Sequence, residues 1–355
     1  MSALKAGATI GILGGGQLGR MLASAAAQLG FDVSIYCPEK DCPAARVSAS
    51  HFEGAYEDSE ALLAWAKTCD TVTYEFENVP VSAAEALIAA GILVRPGAKP
   101  LEVSQDRVVE KTFLQSCGIE TAGFATIDQA PDIAAPIDQF GGQGILKTRR
   151  DGYDGKGQAR LEAGDDFEAA HHSLGHAPCI LEAMVPFVCE VSVIIARDEA
   201  GNSLCYDVPR NEHVNGILRK STAPANVDNG VSERACAAAK ALADALDYIG
   251  VLALEFFVLE DGSLLANEFA PRVHNSGHWT PEACATGQFE QHIRAVAGWP
   301  LGDVTRYHKV EMLNLLGEEA LAPPEALFAD AVLTLYGKRD AKPGRKMGHL
   351  VRRLA

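Results

Sequence analysis

The stretch Val251-Leu252-Ala253-Leu254-Glu255-Phe256-Phe257-Val258-Leu259-Glu260-Asp261-Gly262-Ser263-Leu264-Leu265-Ala266-Asn267-Glu268-Phe269 decides how the second half of the chain is read. Two apolar runs flank Asp261-Gly262, a pair suited to the left-handed backbone of a tight hairpin turn. A two-residue turn there sets Glu255 directly opposite Glu268. Both carboxylates then share one face with Cβ atoms about 4.5–5.5 Å apart, where like charges repel. A divalent cation resolves the conflict, since Mg²⁺ is typically held by one or two carboxylates plus substrate phosphates. A proton on one carboxyl, or a nearby Arg, resolves it equally. Strict alternation turns Asn267 to the opposite face, so Asn267 joins the pair only through a bulge or a strand end.

The segment that follows, Ala270-Pro271-Arg272-Val273-His274-Asn275-Ser276-Gly277-His278-Trp279, is polar and stiffened at Pro271. An Arg, two His, an Asn and a Ser beside a carboxylate pair can hold a small oxyanion and manage its protons. Histidines in such a turn also serve as plain structural groups. Upstream, Gly144–Thr148, Cys179–Val185 and Glu190–Ala196 read as strands and Val231–Leu246 as an Ala-rich helix, so the region from Phe124 to Phe269 is α+β. Val310–Leu316 and Ala331–Tyr336 add strands before a basic tail.

The first hundred residues have a different rhythm. The strands Ala8–Leu13, Asp32–Tyr36 and Thr71–Phe76 alternate with the helical stretches Gln17–Leu29 and Ser59–Lys67, the pattern of a parallel α/β sheet. The rhythm breaks at Arg95-Pro96-Gly97, and a long helix is expected over Val103–Cys117. Gly14-Gly15-Gly16-Gln17-Leu18-Gly19 sits between the first strand and helix, where backbone N–H groups approach a phosphate. A dinucleotide site also needs an acid at the end of the second strand, and Ile35-Tyr36-Cys37-Pro38-Glu39 lacks one in place. Phosphate or ribose binding, a nicotinamide site and a purely structural turn all remain open on this motif alone. A second loop, Asp151-Gly152-Tyr153-Asp154-Gly155-Lys156-Gly157-Gln158, follows the cations Lys147, Arg149 and Arg150. Such a loop can close over phosphates or serve as an ordinary glycine-rich hairpin.

Composition bounds these readings. At 355 residues the chain allows two or three domains of ordinary size. The 31 Lys and Arg against 47 Asp and Glu give a net charge of −16, which argues against general nucleic-acid binding. No apolar run approaches the roughly 18 residues that would span a bilayer, and no signal-peptide core precedes the first strand, so no membrane partner is expected. Nine scattered Cys without a CxxC pair suit a reducing cytoplasm, and neither a disulfide nor a zinc framework.

Seven segments together resemble the ATP-grasp superfamily, and within it the 5-(carboxyamino)imidazole ribonucleotide synthases of purine biosynthesis. They are Gly14–Met21, Thr73–Val79, Asp106–Leu114, Gly152–Gln158, Glu190–Val193, Asn267–Trp279 and Gly344–His349, in family order over nearly the whole chain. The resemblance implies a Rossmann-like pre-ATP-grasp domain (1–98), an ATP-grasp lid (99–185), a large subdomain with the Mg-ATP site (186–300) and a small C-terminal β-rich subdomain with a basic tail (301–355). It implies ATP and Mg²⁺ as cofactors, aminoimidazole ribonucleotide and bicarbonate as substrates, and a homodimer. ATP would meet Arg107, Lys147, Gly152, Tyr153, Asp154, Gly155, Lys156, Gly157 and Gln158. Glu182, Ala183, Met184 and Val185 would be the hinge strand reading adenine; Glu190, His213, Asn267 and Glu268 complete that site, and Glu255 and Glu268 bind the metal. Arg272, His274, Asn275 and Lys156 are the catalytic candidates, with Arg272 and His274 on bicarbonate. Gln17, Leu18, Glu75, Tyr153, Asp154, Lys338 and Arg345 would hold the ribonucleotide, Lys156 also standing near its aminoimidazole ribose. Lys338–Ala355 carries seven Lys or Arg where composition alone gives about two, though a solvated basic end has the same count.

Three rivals remain: a sibling enzyme using formate, a nicotinamide-dependent dehydrogenase, and an ATP-binding regulator without catalysis. The His274–Trp279 turn, the missing acid after Tyr36, and the joint presence of Glu255, Glu268, Lys147 and Arg272 speak against them in turn.

Overall fold

The computed structural model describes residues 3–152, 157–321 and 330–354. Tyr153, Asp154, Gly155 and Lys156, expected at the nucleotide and substrate sites, lie outside the described residues.

The N-terminal unit runs β1 (Thr9–Leu13), α1 (Gln17–Gln28), β2 (Asp32–Cys37), β3 (Ser50–Glu53), α2 (Ser59–Ala66), β4 (Thr71–Tyr74) and α3 (Val81–Ala89). Its four strands are parallel in the order β3-β2-β1-β4, the sheet the alternating pattern predicts. The expected helix over Val103–Cys117 is instead two, α4 (Lys99–Ser104) and α5 (Arg107–Ser116). Asp106 makes the break: its extended backbone caps α5, and its carboxylate accepts from the N–H groups of Val108 and Val109 at 3.0 and 3.3 Å.

The lid contains β5 (Phe124–Ile127), α6 (Ala134–Gln139), β6 (Gln143–Thr148), β7 (Gln158–Glu162), α7 (Phe167–Ser173) and β8 (Cys179–Ala183). Its antiparallel sheet, β5-β8-β6-β7, has a core of its own around Ile127, Ile133, Leu146 and Leu181.

The rest is built on one large antiparallel sheet. Its elements are β9 (Cys189–Arg197), β10 (Ser203–Cys205), β11 (Arg210–Val214), β12 (Ile217–Ala223), α8 (Asn229–Ala245), β13 (Gly250–Val258), β14 (Leu264–Ala270), α9 (Thr280–Ala283), α10 (Gln288–Val296), β15 (Val310–Leu316), β16 (Ala331–Leu335) and β17 (Lys346–Arg353). The strand order is β14-β13-β9-β11-β12-β15-β17-β16, with β10 on β9. The basic tail is therefore a strand: β17 lies between β15 and β16 with Met347, Leu350 and Val351 buried.

The N-terminal sheet and the large sheet share a core. Ile10, Ile12 and Leu22 pack in one cluster with Ile194, Val251, Ile293 and Val310. Polar groups cross the same junction. Val251 N–H donates to His292 Nδ1 at 3.1 Å, so the other ring nitrogen, Nε2, carries the proton toward Thr73 Oγ1 at 2.9 Å. Burial pushes His292 down to about 4, consistent with a neutral ring.

Candidate active site

The hairpin turn is one residue longer than its Asp-Gly signal predicts. Leu259 N–H bonds Ser263 O at 2.9 Å, leaving Glu260, Asp261 and Gly262 in the turn, with Gly262 at φ +79°. Asp261 Oδ1 holds that shape by accepting from Ser263 N and Oγ at 2.9 and 2.6 Å. A second irregularity reverses the slip. Phe256 pairs with Ala266, but Leu254 pairs with Phe269, so Glu255 stands across from both Asn267 and Glu268. Ala266 and Phe269, three apart, are buried in the same core, which strict alternation forbids. The expected meeting of Glu255 and Glu268 is thus produced by a bulge, and the same bulge supplies the condition under which Asn267 can join them.

Two consecutive residues of α5 hold the bulge. Glu110 Oε1 accepts from Phe269 N–H at 2.7 Å, and Lys111 Nζ donates to Asn267 O at 3.0 Å. Burial first, and Glu268 second, push Glu110 up to about 8. At Glu255, burial and then the Glu268 charge raise the carboxyl to about 7. Burial also works against the Glu268 charge, but Arg107, 3.0 Å away, with Lys147, holds that carboxyl down at about 2. One carboxylate is thereby firmly ionised beside a partner that titrates near neutrality.

A cationic wall faces this pair from the lid side. Lys147 on β6 and Lys111 on α5 both reach Glu182 Oε2, at 3.0 and 3.2 Å, while the buried Glu182 Oε1 has no hydrogen-bond partner. Burial, opposed by Glu182, and the neighbouring charges of Lys111 and Arg107 lower Lys147. Glu182 is itself held low against its burial by the two lysines. Arg107 also donates to Gly152 O at 2.9 Å, tying α5 to the glycine loop; Gln158 begins β7 opposite Lys147, and Gly157 O just before it accepts from Thr148 N–H at 2.9 Å. Beyond Ala183, which ends β8, Met184 and Val185 lead out of the lid toward β9. On the large sheet Glu190 Oε2 meets His213 Nδ1 at 2.8 Å, and that contact raises His213 against its burial.

The turn after β14 is braced from three sides. Gln288 clamps the His274 backbone, accepting from its N–H at 2.9 Å and donating to its carbonyl at 2.7 Å. Asn275 and Asn314 exchange amide hydrogen bonds at 2.9 and 2.7 Å. Arg272 is held on two edges by Glu77, with Nη2 donating at 2.7 Å and Nε beside the other oxygen. His274 heads a buried polar chain. Ser276 N–H points at His274 Nδ1 (3.3 Å), leaving that nitrogen as the acceptor and Nε2–H aimed at Glu255 Oε1, 3.2 Å away. Ser276 Oγ lies 2.8 Å from Nδ1 and accepts from Ser192 Oγ at 2.7 Å; Asn211 donates to Ser192 and accepts from Ser221. Every link donates in one direction, toward Glu255. Burial, then Arg272 and Lys346, drive His274 well below its ordinary value, so the ring is neutral.

The N-terminal glycine loop already holds a carboxylate. Glu75 accepts from Gly16 N–H at 2.7 Å and Gly19 N–H at 3.1 Å, while burial raises its pKa against those bonds. Gln17 and Leu18 occupy the first turn of α1, whose N–H groups have no partner within the helix. Lys338 Nζ donates to Lys346 O at 2.8 Å, and Arg345 to Asp340 O at 3.0 Å.

Several site residues went unread in the sequence: Glu77, Glu110, Lys111, Gln288, Asn314 and Lys346. Glu110 and Lys111 sit in the Asp106–Leu114 segment, but nothing in one sequence shows that α5 crosses behind a strand some 150 residues on.

Comparison with known proteins agrees with this architecture. Residues 7–105 match the ribonucleotide synthetase preATP-grasp domain, 112–289 the ATP-grasp domain, and 311–352 the phosphoribosylaminoimidazole carboxylase C-terminal domain. The chain is 53% identical to N5-carboxyaminoimidazole ribonucleotide synthase of Brucella melitensis, over 99% of this chain and 98% of that one. A solved ADP complex of an N5-carboxyaminoimidazole ribonucleotide synthetase superimposes with a TM-score of 0.95 at 40% identity, covering 99% of this chain and 94% of the other. The Aspergillus clavatus synthase, solved with ADP and 5-aminoimidazole ribonucleotide, gives 0.92 at 32% identity, covering 98% and 94%. Family models spanning all three parts, with relatives alike over nearly their full length, place this chain in the N5-carboxyaminoimidazole ribonucleotide synthase family of ATP-grasp enzymes.

Proposed function

We propose that this chain uses ATP to carboxylate 5-aminoimidazole ribonucleotide, giving 5-(carboxyamino)imidazole ribonucleotide, ADP and phosphate in purine biosynthesis. The observation that carries the reading is Glu255 set across the bulge from Glu268, with Arg107, Lys147 and Lys111 beside the pair. A firmly ionised carboxylate beside a second one fits Mg²⁺, and the cations fit a polyphosphate. Glu255 and Glu268 would hold the metal, which offsets phosphate charge when bound. Bicarbonate is the second substrate: its oxygen takes the γ-phosphoryl group as the bond to ADP breaks, and the exocyclic amine, giving up a proton to the departing phosphate, then captures the carboxyphosphate carbon, directly or as the CO₂ it releases.

The protein's own part is positioning and charge. Lys147 and Arg107 steady the transferring phosphoryl group. Arg272, fixed by Glu77, presents a guanidinium in one orientation for bicarbonate. His274 keeps its Nε2 proton directed at Glu255, leaving that carboxylate oriented for the metal. Asn275 fixes the turn through Asn314, and Lys156, with Tyr153, Asp154 and Gly155, is assigned to the ATP phosphates. Glu190 and His213 take the nucleotide ribose, Asn267 stands beside it, and Glu182–Val185 border the adenine. Gln17, Leu18, Glu75, Lys338 and Arg345 hold the ribonucleotide. The working assembly is a homodimer in the cytoplasm; the nine free cysteines support a reducing compartment.

ADP release from Mg-ATP and bicarbonate tests the reading. Strong stimulation by aminoimidazole ribonucleotide, lost without bicarbonate, is the expected result. Stimulation by formate instead would overturn the substrate.

A further inference from the structure

One side-chain cluster has no part in the chemistry above. Cys37 ends β2, Cys42 follows in the loop, and His51 lies on β3 beside Ile35, on the face that Cys37 shares. Cys37 Sγ is 3.4 Å from both Cys42 Sγ and His51 Nε2, and all three donor atoms fall within 4.8 Å of one another. The thiols are buried and His51 half-buried, so the triad can be reached from the imidazole side.

We propose that Cys37, Cys42 and His51 form a binding site for a thiophilic divalent cation, with Zn²⁺ as the prime occupant. Zn²⁺ held by sulfur at about 2.3 Å and imidazole nitrogen at about 2.0 Å spaces its ligands by roughly 3.5–3.8 Å, so the present triad needs only small shifts to close on an ion. Three protein ligands leave the fourth position to water. Two sulfurs and an imidazole select Zn²⁺ over Mg²⁺, so this site does not compete with the carboxylate pair. The sequence shows no CxxC because parallel pairing of β2 with β3, and not local spacing, delivers the histidine.

The site is placed to matter. A Cβ on Gly15 would stand 2.4 Å from Cys42 Sγ and 2.6 Å from Cys37 Sγ, and Ala44 N–H bonds Gly15 O at 3.0 Å. A bound ion would tie the β2 loop to the first glycine loop. Any effect on ribonucleotide binding rests on the function proposed above; the metal site itself does not.

The test is a Co²⁺ titration of the reduced, chelator-treated full chain under anaerobic conditions, followed by displacement with Zn²⁺. One equivalent should give a thiolate-to-cobalt charge-transfer band with tetrahedral visible bands, abolished by Zn²⁺. Cys37→Ser and Cys42→Ser should each remove the band, and His51→Asn should weaken cobalt binding by about tenfold or more. No thiolate band in the reduced wild type, or a band unchanged in both serine variants, overturns the proposal. So does a protein that forms a Cys37–Cys42 disulfide in air and takes up no metal after reduction. If the buried serine variants do not fold, His51→Asn alone decides, since its side chain lies at the rim. The readout needs neither ATP nor ribonucleotide, so failure of the enzymatic reading leaves it intact.

Discussion

Against its burial, Arg107 at 3.0 Å holds the Glu268 carboxyl down at about 2, whereas burial and the Glu268 charge push Glu255 beside it up to about 7. Metal binding should therefore weaken as pH falls below about 7, where Glu255 takes up a proton. The Mg²⁺ concentration needed for half-maximal ADP release should rise there; a requirement flat with pH would contradict the assignment. Glu268→Gln should collapse Mg²⁺-dependent turnover, by roughly 100-fold or more, with thermal stability kept. Near-wild-type activity would remove Glu268 from the metal. Ser276→Ala tests the polar chain behind His274: it removes the hydroxyl donor to Nδ1 while the backbone N–H still points there, so Nε2 stays the donor to Glu255 on a less firmly held ring. We expect kcat to fall about tenfold with an altered acid limb and little change in KM for ATP; an unchanged pH profile would leave Ser276 a packing residue. At this scale the sequence singled out the candidate groups, because their types announce chemistry, but not their supports. Glu77, Gln288 and Asn314 are ordinary polar residues until the fold sets them against Arg272, His274 and Asn275.

At the scale of elements, α5 and β14 work as one piece through Glu110 and Lys111. Glu110 has a folded pKa of about 8, above its ordinary value, so the folded state retains a proton that the unfolded chain loses. Its contribution to stability is complete below about pH 4.5 and is lost as pH rises through about 8. Glu110→Gln keeps an acceptor for Phe269 N–H and removes the titration. Between about pH 5 and pH 8.5 the variant should lose less stability than the wild type, by roughly 2–4 kcal/mol, as read from denaturant midpoints at each pH. Parallel loss in both proteins would place the proton elsewhere. Most strands and long helices were legible from periodicity, including the hairpin. The break at Asp106 was not, since Val103–Cys117 keeps helical spacing through a residue that caps a new helix. The edge strand Ser50–Glu53, polar and half-exposed, lacks the apolar run that marks a strand.

Across the whole molecule, the parallel N-terminal sheet and the large antiparallel sheet share one core, while the lid keeps its own. Heat should therefore melt the first two together. Calorimetry should show one transition for them, and hydrogen exchange should find the lid strands opening at lower cost than β1 or β13. Separate melting of the N-terminal unit would contradict the shared core. The alternation of strands and helices predicted two kinds of sheet, but not their fusion. That depends on contacts such as Thr73 with His292, whose partners lie more than two hundred residues apart.

The compensated hairpin limits how this chain can change length. The turn adds one residue to the register and the bulge at Asn267–Glu268 removes the slip, so the two are a matched pair of irregularities, each one residue (about 3.4 Å) in effect but opposite in sign. A natural or engineered deletion in Glu260–Gly262 alone would slide β14 past β13 and rotate one carboxylate away from the other. Drift in either segment is therefore tolerable only with a matching change in the other, and the loop tip, exposed and far from the chemistry, is a poor place for insertions.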